Sequence, residues 1–463
     1  MNWVNYIYIY QPPTQKKDIL EKVMDQSYRP ILNLLLENPQ SHININVNAG
    51  LIEMFSRNNG DDIIEKLKAL LNRGQIEISE TSAYQAFLPM IPKDEIKRQI
   101  QRNHSIMKSF LGDNYQPQGF FSPSMAYTDT IFNIVKEFGY KWIILDENVL
   151  KDRYILKHDR IYTHDGLNIF IRDRAQSFKI MSYNIDNNQE LITDLNKTFS
   201  QEEFLITAID GETFGHHRVG YERILFYIYN SNKINSYLLS DIPDIIDKKE
   251  EIQLQESSWI LPSKNERIFE RWYSKNNLIQ KKQYELLNLA IKTIQGSKYR
   301  IDDPQIVNKD IRNIKTSEKT WLQSRYLLDE AMYQDQFFFS SARPAWSMDL
   351  IEKGAYLLSE VVRLTPDADK FDKNKSRKLY QDIVLTGIKW QKENTITKMV
   401  KQFFEDERPE QGESLAPKLS HEEYLKVLKR LTINMKNSAK AEDYDIAQSF
   451  KERINELKKN QES

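Results

Sequence analysis

The sequence predicts an α/β fold: a parallel sheet closed or nearly closed into a barrel, then a helical region, then a C-terminal helical hairpin. Three observations carry this. Seven short apolar, β-branched runs recur through the first half, mostly separated by helical periodicity, as parallel strands with crossover helices require. Each run ends in polar residues, in order Tyr10-Gln11, Asn48, Glu80, Ser124, Asp146-Glu147, Arg172-Asp173 and Asp210-Glu212. That is the end at which such barrels hold their sites. After about residue 220 strands become scarce and helical patterns take over.

In order, residues 3–10 (WVNYIYIY) form the first strand, stopped at Pro12-Pro13. A polar helix covers 16–37, and the alternating, β-branched 42–48 (HININVN) is the second strand. A helix over 61–72 opens on Asp61-Asp62 and closes on Arg73-Gly74, as the helix dipole and C-cap favour. Residues 75–79 make the third strand, followed by a turn-rich stretch to Pro92 and a helix over 94–111 stopped by Gly112. The remaining strands fall at 119–123, 141–145, 167–171 and 204–209, with a helix over 127–138. Helices are expected over 278–294, 318–335 and 347–363, with Phe337-Phe338-Phe339 between the last two. The expected divisions are a barrel over 1–275, a helical domain over 276–405, a polar linker with two prolines over 406–420, and the hairpin over 421–463.

Composition narrows the function. A formal net charge of -1 over 463 residues argues against nucleic acid or an anionic membrane as partner. The absence of cysteine excludes disulfides, thiolate metal sites and cysteine nucleophiles, and fits a reducing cytoplasm. The start, Met1-Asn2-Trp3-Val4, enters a strand directly without the pattern of a signal peptide, and no apolar run reaches the length of a membrane span.

The chemistry concentrates in Asp210-Gly211-Glu212-Thr213-Phe214-Gly215-His216-His217. Two carboxylates stand at a strand tip, and the glycines are expected to let the backbone turn and to leave room for a ligand. Tyr8-Ile9-Tyr10-Gln11-Pro12-Pro13, Gly74-Gln75-Ile76-Glu77-Ile78 and Gly119-Phe120-Phe121-Ser122-Pro123-Ser124-Met125-Ala126-Tyr127 precede it in the chain. Together with Ser257-Ser258-Trp259 and Ser341-Ala342-Arg343-Pro344, these stretches resemble glycoside hydrolase family 57, in family order over about residues 1–360. The resemblance implies an incomplete (β/α)7-type barrel followed by helices, and double displacement on α-glucans by a nucleophilic carboxylate and an acid/base roughly 5–5.5 Å apart. The acid/base maps onto Asp210, and the nucleophilic glutamate maps onto Ser124. Histidines expected in the first motif, after the third strand and in the helical region map onto Tyr8, Gln85 and Tyr333. Substrate binding is expected from Tyr8, Tyr10, Gln11, Glu77, Gln85, Glu212 and Trp259, with no metal and no cofactor.

Serine is uncharged and no general base is evident near it, so it is a poor partner for an oxocarbenium ion. One reading is therefore a protein that binds an α-glucan or malto-oligosaccharide with impaired or lost catalysis. Another is an active glycosidase or glucanotransferase with a recruited carboxylate, for which Glu80, Asp146 and Glu147 are the candidates. In the third the barrel is a scaffold and the tail acts. Residues 435–454 resemble the UVR motif, a protein-docking hairpin, which would meet a protein partner through Tyr444, Ala447 and Phe450.

Overall fold

The computed structural model describes residues 1–406 other than 152–154, 184–187, 201–202, 264–265 and 308–313, and beyond these only Thr432. Residues Met1–Asp406 form one compact unit. The expected linker past Asp406 and the UVR-like hairpin, with Tyr444, Ala447 and Phe450, lie outside the described residues.

Ten strands are present among the described residues: β1 (Asn2–Tyr8), β2 (Ile43–Asn46), β3 (Ile76–Ile78), β4 (Gly119–Phe121), β5 (Trp142–Asp146), β6 (Ile161–His164), β7 (Leu167–Arg172), β8 (Phe204–Asp210), β9 (Asn235–Ser236) and β10 (Lys249–Glu251). They form two sheets, one ordered β3-β2-β1-β8 with β9 also on β1, the other β10-β6-β7-β5-β4. Every pairing is parallel except β6 with β7. The seven apolar runs of the sequence thus all appear as parallel strands, and β6, β9 and β10 are additions. These three are short and polar, and residues 249–251 read as solvated charge rather than as strand.

Alternation along β1 explains how the two sheets share a core. Trp3, Ile7 and Ile9 face one way, into a cluster with Leu35, Phe55, Leu67 and Leu205 beneath the surrounding helices. Val4, Tyr6 and Tyr8 face the other way and meet Phe121, Ile144, Phe170 and Ile206, so strands of both sheets pack on one interior cluster. Two backbone links join the sheets past their strand ends. The Phe121 and Glu80 N–H groups donate to Glu80 O and Gly119 O, each at 2.8 Å, and Asp173 N–H donates to Ile206 O at 2.9 Å.

The helices Leu278–Gly296, Thr316–Ala331 and Met348–Leu364 form where periodicity placed them, burying Leu286, Leu328 and Leu358 against the second sheet's outer face. Helices at Ala49–Arg57, Arg174–Ser182, Asn188–Thr198, Glu222–Tyr229, Lys370–Lys392 and Thr395–Asp406 were not legible from the pattern. Several polar residues at strand ends are caps. Asn48 accepts from Leu51 N–H at 2.8 Å and Asp173 from Gln176 N–H at 2.8 Å, each opening a helix. No helix of the described residues is long and apolar enough to cross a membrane.

Candidate active-site cleft

Register brings Tyr8 of β1 beside Asp210 of β8 at the C-terminal ends of their strands. A cleft of 610 Å³ opens there, and Tyr8, Tyr10, Gln11, Ser124, Asp210, Glu212 and Trp259 all border it. Two expected residues do not. Glu77 faces the same interior as Tyr6, its register neighbour through Asn44, but lies deeper than Tyr8, where its carboxylate accepts from Ser240 N–H at 3.0 Å, so depth removes it from the substrate-binding set. Gln85 lies behind Tyr8 and donates to its phenol oxygen at 2.6 Å, so it supports the wall rather than bordering the cleft.

The Asp210 carboxyl makes no hydrogen bond with a described residue. Burial pushes its pKa up, opposed by the charges of Arg172 and His217. A carboxyl of raised proton affinity and free of partners among the described residues is suited to proton donation to a leaving group. Two residues on, Glu212 is buried and engaged through one oxygen, Oε1. It accepts from the Tyr28 hydroxyl, from Tyr10 N–H at 3.1 Å and from Gln11 Nε2 at 3.3 Å. Burial and then the neighbouring Asp210 push it up to about 7.

The glycines of this turn serve the fold rather than a ligand. A Cβ on Gly211 would lie 2.5 Å from Ile9 Cγ2, and one on Gly215, which has φ +112, would lie 1.8 Å from Gln26 O. They let the loop press onto β1 and the neighbouring helical segment. Of the two histidines, His216 turns outward to Gln26 Oε1 at 2.8 Å and His217 borders the cleft. Among the described residues no group of three His, Asp or Glu is placed to hold a metal ion.

Ser124 occupies a short turn after β4 with φ 59, in the left-handed region, and Trp259 N–H anchors its carbonyl at 3.0 Å. Its Oγ donates to Gln334 Oε1 at 3.0 Å, and Trp272 Nε1 donates to the same oxygen at 3.0 Å. An indole N–H can only donate, so the amide must turn its oxygen toward Trp272. The serine proton is therefore committed to an amide oxygen, which cannot act as a base. Ser124 is not an activated nucleophile.

The aromatic walls divide by exposure. Tyr8 is buried, stacked on Phe121 with centroids 5.4 Å apart and edge-on to Trp259 at 5.5 Å. Burial, with the charges of Asp335, Asp210 and Glu212, keeps its phenol protonated. Tyr10 and Trp259 are half-buried and present ring surface to the cleft, as sugar faces require. Tyr333 is buried outside the cleft, donating to Leu350 O at 2.8 Å.

The carboxylates proposed as recruits do not reach the cleft. Glu80 is fully buried on the far side of the third strand's end, accepting from Asn103 Nδ2 at 2.5 Å and Tyr115 OH at 3.2 Å, with His104 Nδ1 at 3.0 Å. Asp146 is locked to Arg172 at 3.1 Å and Arg174 at 3.6 Å. Glu147 borders a separate hollow with Asn148 and Leu261. Besides Asp210 and Glu212, the cleft is bordered by the carboxylate of Asp335, which sequence reasoning passed over although it stands between Tyr333 and the Phe337-Phe338-Phe339 run. It accepts from the Tyr10 hydroxyl, and burial pushes it up to about 6.

Residues 2–255 match the model of glycosyl hydrolase family 57. An α-amylase of Pyrococcus abyssi is 24% identical over 301 residues, which is 59% of this chain and 44% of that protein. A 4-α-glucanotransferase of Thermococcus litoralis is 23% identical over 290 residues, 58% of this chain and 43% of that protein. The chain thus spans less than half the length of these two relatives. Among solved structures, the Thermococcus litoralis 4-α-glucanotransferase superposes with TM-score 0.64 at 18% identity, covering 78% of this chain and 60% of its own. A branching enzyme of Pyrococcus horikoshii superposes with TM-score 0.62 at 14% identity, covering 83% and 96%. These likenesses show the shared fold.

Proposed function

Because the chain belongs to glycosyl hydrolase family 57, we propose that its cleft binds an α-linked glucan or malto-oligosaccharide and that Ser124 has removed double displacement from its chemistry. On this reading the two sheets, packed on one interior cluster, are the arcs of a (β/α)7-type barrel, with residues 276–405 as its helical domain, in a cytoplasmic protein. Tyr10 and Trp259 supply sugar-stacking faces and Asp210 is the proton donor. The observation that carries the reading is the Ser124 hydroxyl, which gives its proton to Gln334 where a nucleophilic carboxylate would be needed. Without that carboxylate no covalent glycosyl-enzyme forms, and transfer of a glucosyl unit to a second sugar loses its intermediate.

The test combines tryptophan fluorescence titration with maltoheptaose and product analysis from amylose, glycogen and maltoheptaose. Wild type is expected to bind and to make no longer or branched products. Ser124→Glu is expected to gain them, and Asp210→Asn to remove them again in the double variant. Transglycosylation by wild type, or no binding of any glucan, overturns the reading. The UVR-like spacing at 435–454 supports a separate proposal, a protein-docking tail acting through Tyr444, Ala447 and Phe450. Loss of a co-purifying partner on deletion of 421–463 would be its mark.

A further inference from the structure

The cleft holds three carboxylates, and their bonding separates them. Glu212 takes three donors, Tyr28, Tyr10 N–H and Gln11, on its one oxygen Oε1. Asp210 is unpaired. Asp335 has a single side-chain partner, the Tyr10 hydroxyl, and no cation among the described residues. It follows Gln334, whose amide oxygen holds Ser124, in the chain, and all three residues border the cleft. With that oxygen facing Trp272 and Ser124, the Gln334 NH2 group borders the cleft with no described acceptor. Ser124 Oγ, its own proton committed, can only accept there. An amide donor, a hydroxyl acceptor and a carboxylate acceptor on the wall of one cleft are the groups that a bound water molecule needs. Serine is also shorter than glutamate, which makes room for that water in front of a bound sugar.

We propose that Asp335 is the general base of a single-displacement hydrolysis in which Asp210 is the acid, so that this cleft inverts the anomeric carbon instead of retaining it. The inference rests on the α-glucan reading of the same cleft. A water held by Gln334 Nε2 and Ser124 Oγ attacks C1 of the α-glucoside. As its oxygen bonds to C1 the glycosidic C1–O bond breaks, and the Asp210 proton goes to the departing sugar oxygen. The attacking water gives one proton to Asp335, and solvent returns that proton to Asp210. The first product is the β-anomer. Inverting enzymes hold their two carboxyl groups roughly 6.5–9.5 Å apart, wider than the roughly 5–5.5 Å of retaining ones, to leave room for the water.

The experiment follows anomeric protons by NMR during maltoheptaose hydrolysis by the full chain, with fluorescence titration of the same sugar alongside. Wild type is expected to release the β-anomer first. Asp335→Asn, which keeps the shape, is expected to lose roughly 10²–10⁴-fold in rate with maltoheptaose binding held within a few-fold. Azide with α-glucosyl fluoride is then expected to restore turnover of Asp335→Asn and to yield β-glucosyl azide, which a merely structural role for Asp335 would not produce. An α-anomer as first product, or an Asp335→Asn rate within about threefold of wild type, overturns the proposal. So does wild type that binds maltoheptaose without cleaving it, which leaves the glucan-binding reading standing. Absence of binding removes both.

Discussion

Asp329 in the helical region and Glu212 in the cleft are both buried carboxylates, yet their proton affinities move in opposite directions. Burial alone would raise Asp329, but the charges of Arg325 and Arg98 outweigh it and hold the group below its usual range. Arg98 grips it through Nε at 2.9 Å and Nη2 at 2.7 Å, and Arg325 reaches it at 2.7 Å while also pairing with Glu95. In the cleft, Asp210, Glu212 and Asp335 are all raised, because burial is met only by distant cations and uncharged donors. The helical network ties the residues 93–111 helix to the residues 316–331 helix and asks for nothing further. The cleft carboxylates are left with proton affinities that a substrate or a water can exploit.

The comparison breaks most visibly through Arg325→Ala. It leaves Glu95 buried without its cation and strips Asp329 of one of its guanidinium partners, and a cost of about 3–5 kcal/mol in urea unfolding is expected. Asp335→Asn removes a carboxylate that has no cation, and its midpoint should stay within about 1 kcal/mol of wild type. Equal losses in the two variants would mean that the cleft carboxylate is as structural as Asp329.

A smaller effect tests Glu212. Its folded pKa of about 7 stands above an ordinary carboxylate value of 4.5, so the native state binds the proton more tightly than the unfolded chain. Stability is then fully present below about pH 4.5, falls as pH rises toward 7, and stays lower above it. Glu212→Gln keeps an oxygen for Tyr28 and removes that slope. At pH 8 it is expected to be more stable than wild type by up to about 3 kcal/mol, with the difference fading by pH 4.5, as read from urea unfolding at both values. Stability of the wild type that rises between pH 5 and 7 faster than that of Glu212→Gln would contradict the shift.

How far the sequence foretold this contrast depends on the kind of residue. The parallel strands were legible because their runs are short and either apolar throughout or alternating and β-branched, and Asp210 because it ends one of them. Ser124 and Trp259 were legible only through resemblance, since neither a serine after a proline nor a lone tryptophan carries a period. Glu80 shows the limit of reading strand ends: it pairs with Phe120 through its backbone, while its side chain turns outward to Asn103 and Tyr115. Strand position gives the height of a residue, and only side-chain direction decides which side of the sheet it serves. Asp335 and Gln334 come from a short helical segment about 125 residues after β8, and nothing local marks them as neighbours of Ser124. Their proximity is a product of tertiary packing, as is the arginine network around Asp329.

The finest test of the contrast concerns what holds a cleft carboxylate in its ionised form when no cation does. For Asp335 the answer is one phenol hydroxyl, that of Tyr10, which lowers a pKa that burial has raised to about 6. A hydrogen bond to a charged group contributes roughly 1.5–3 kcal/mol, so removing it should move the carboxyl upward by about one to two units. Tyr10→Phe keeps the ring and its sugar-facing surface and deletes only the donor. Carboxyl-carbon NMR titration of Asp335 is expected to move from about 6 toward 7 or above, and the acid limb of maltoheptaose hydrolysis should move with it. The same deletion beside Asp329 would be buffered by two guanidinium groups, whereas here no other side chain among the described residues donates to the carboxylate. An unmoved titration would mean that water, rather than Tyr10, sets the charge of Asp335, and the cleft would then be wetter and less selective for its carboxylates than its packing implies.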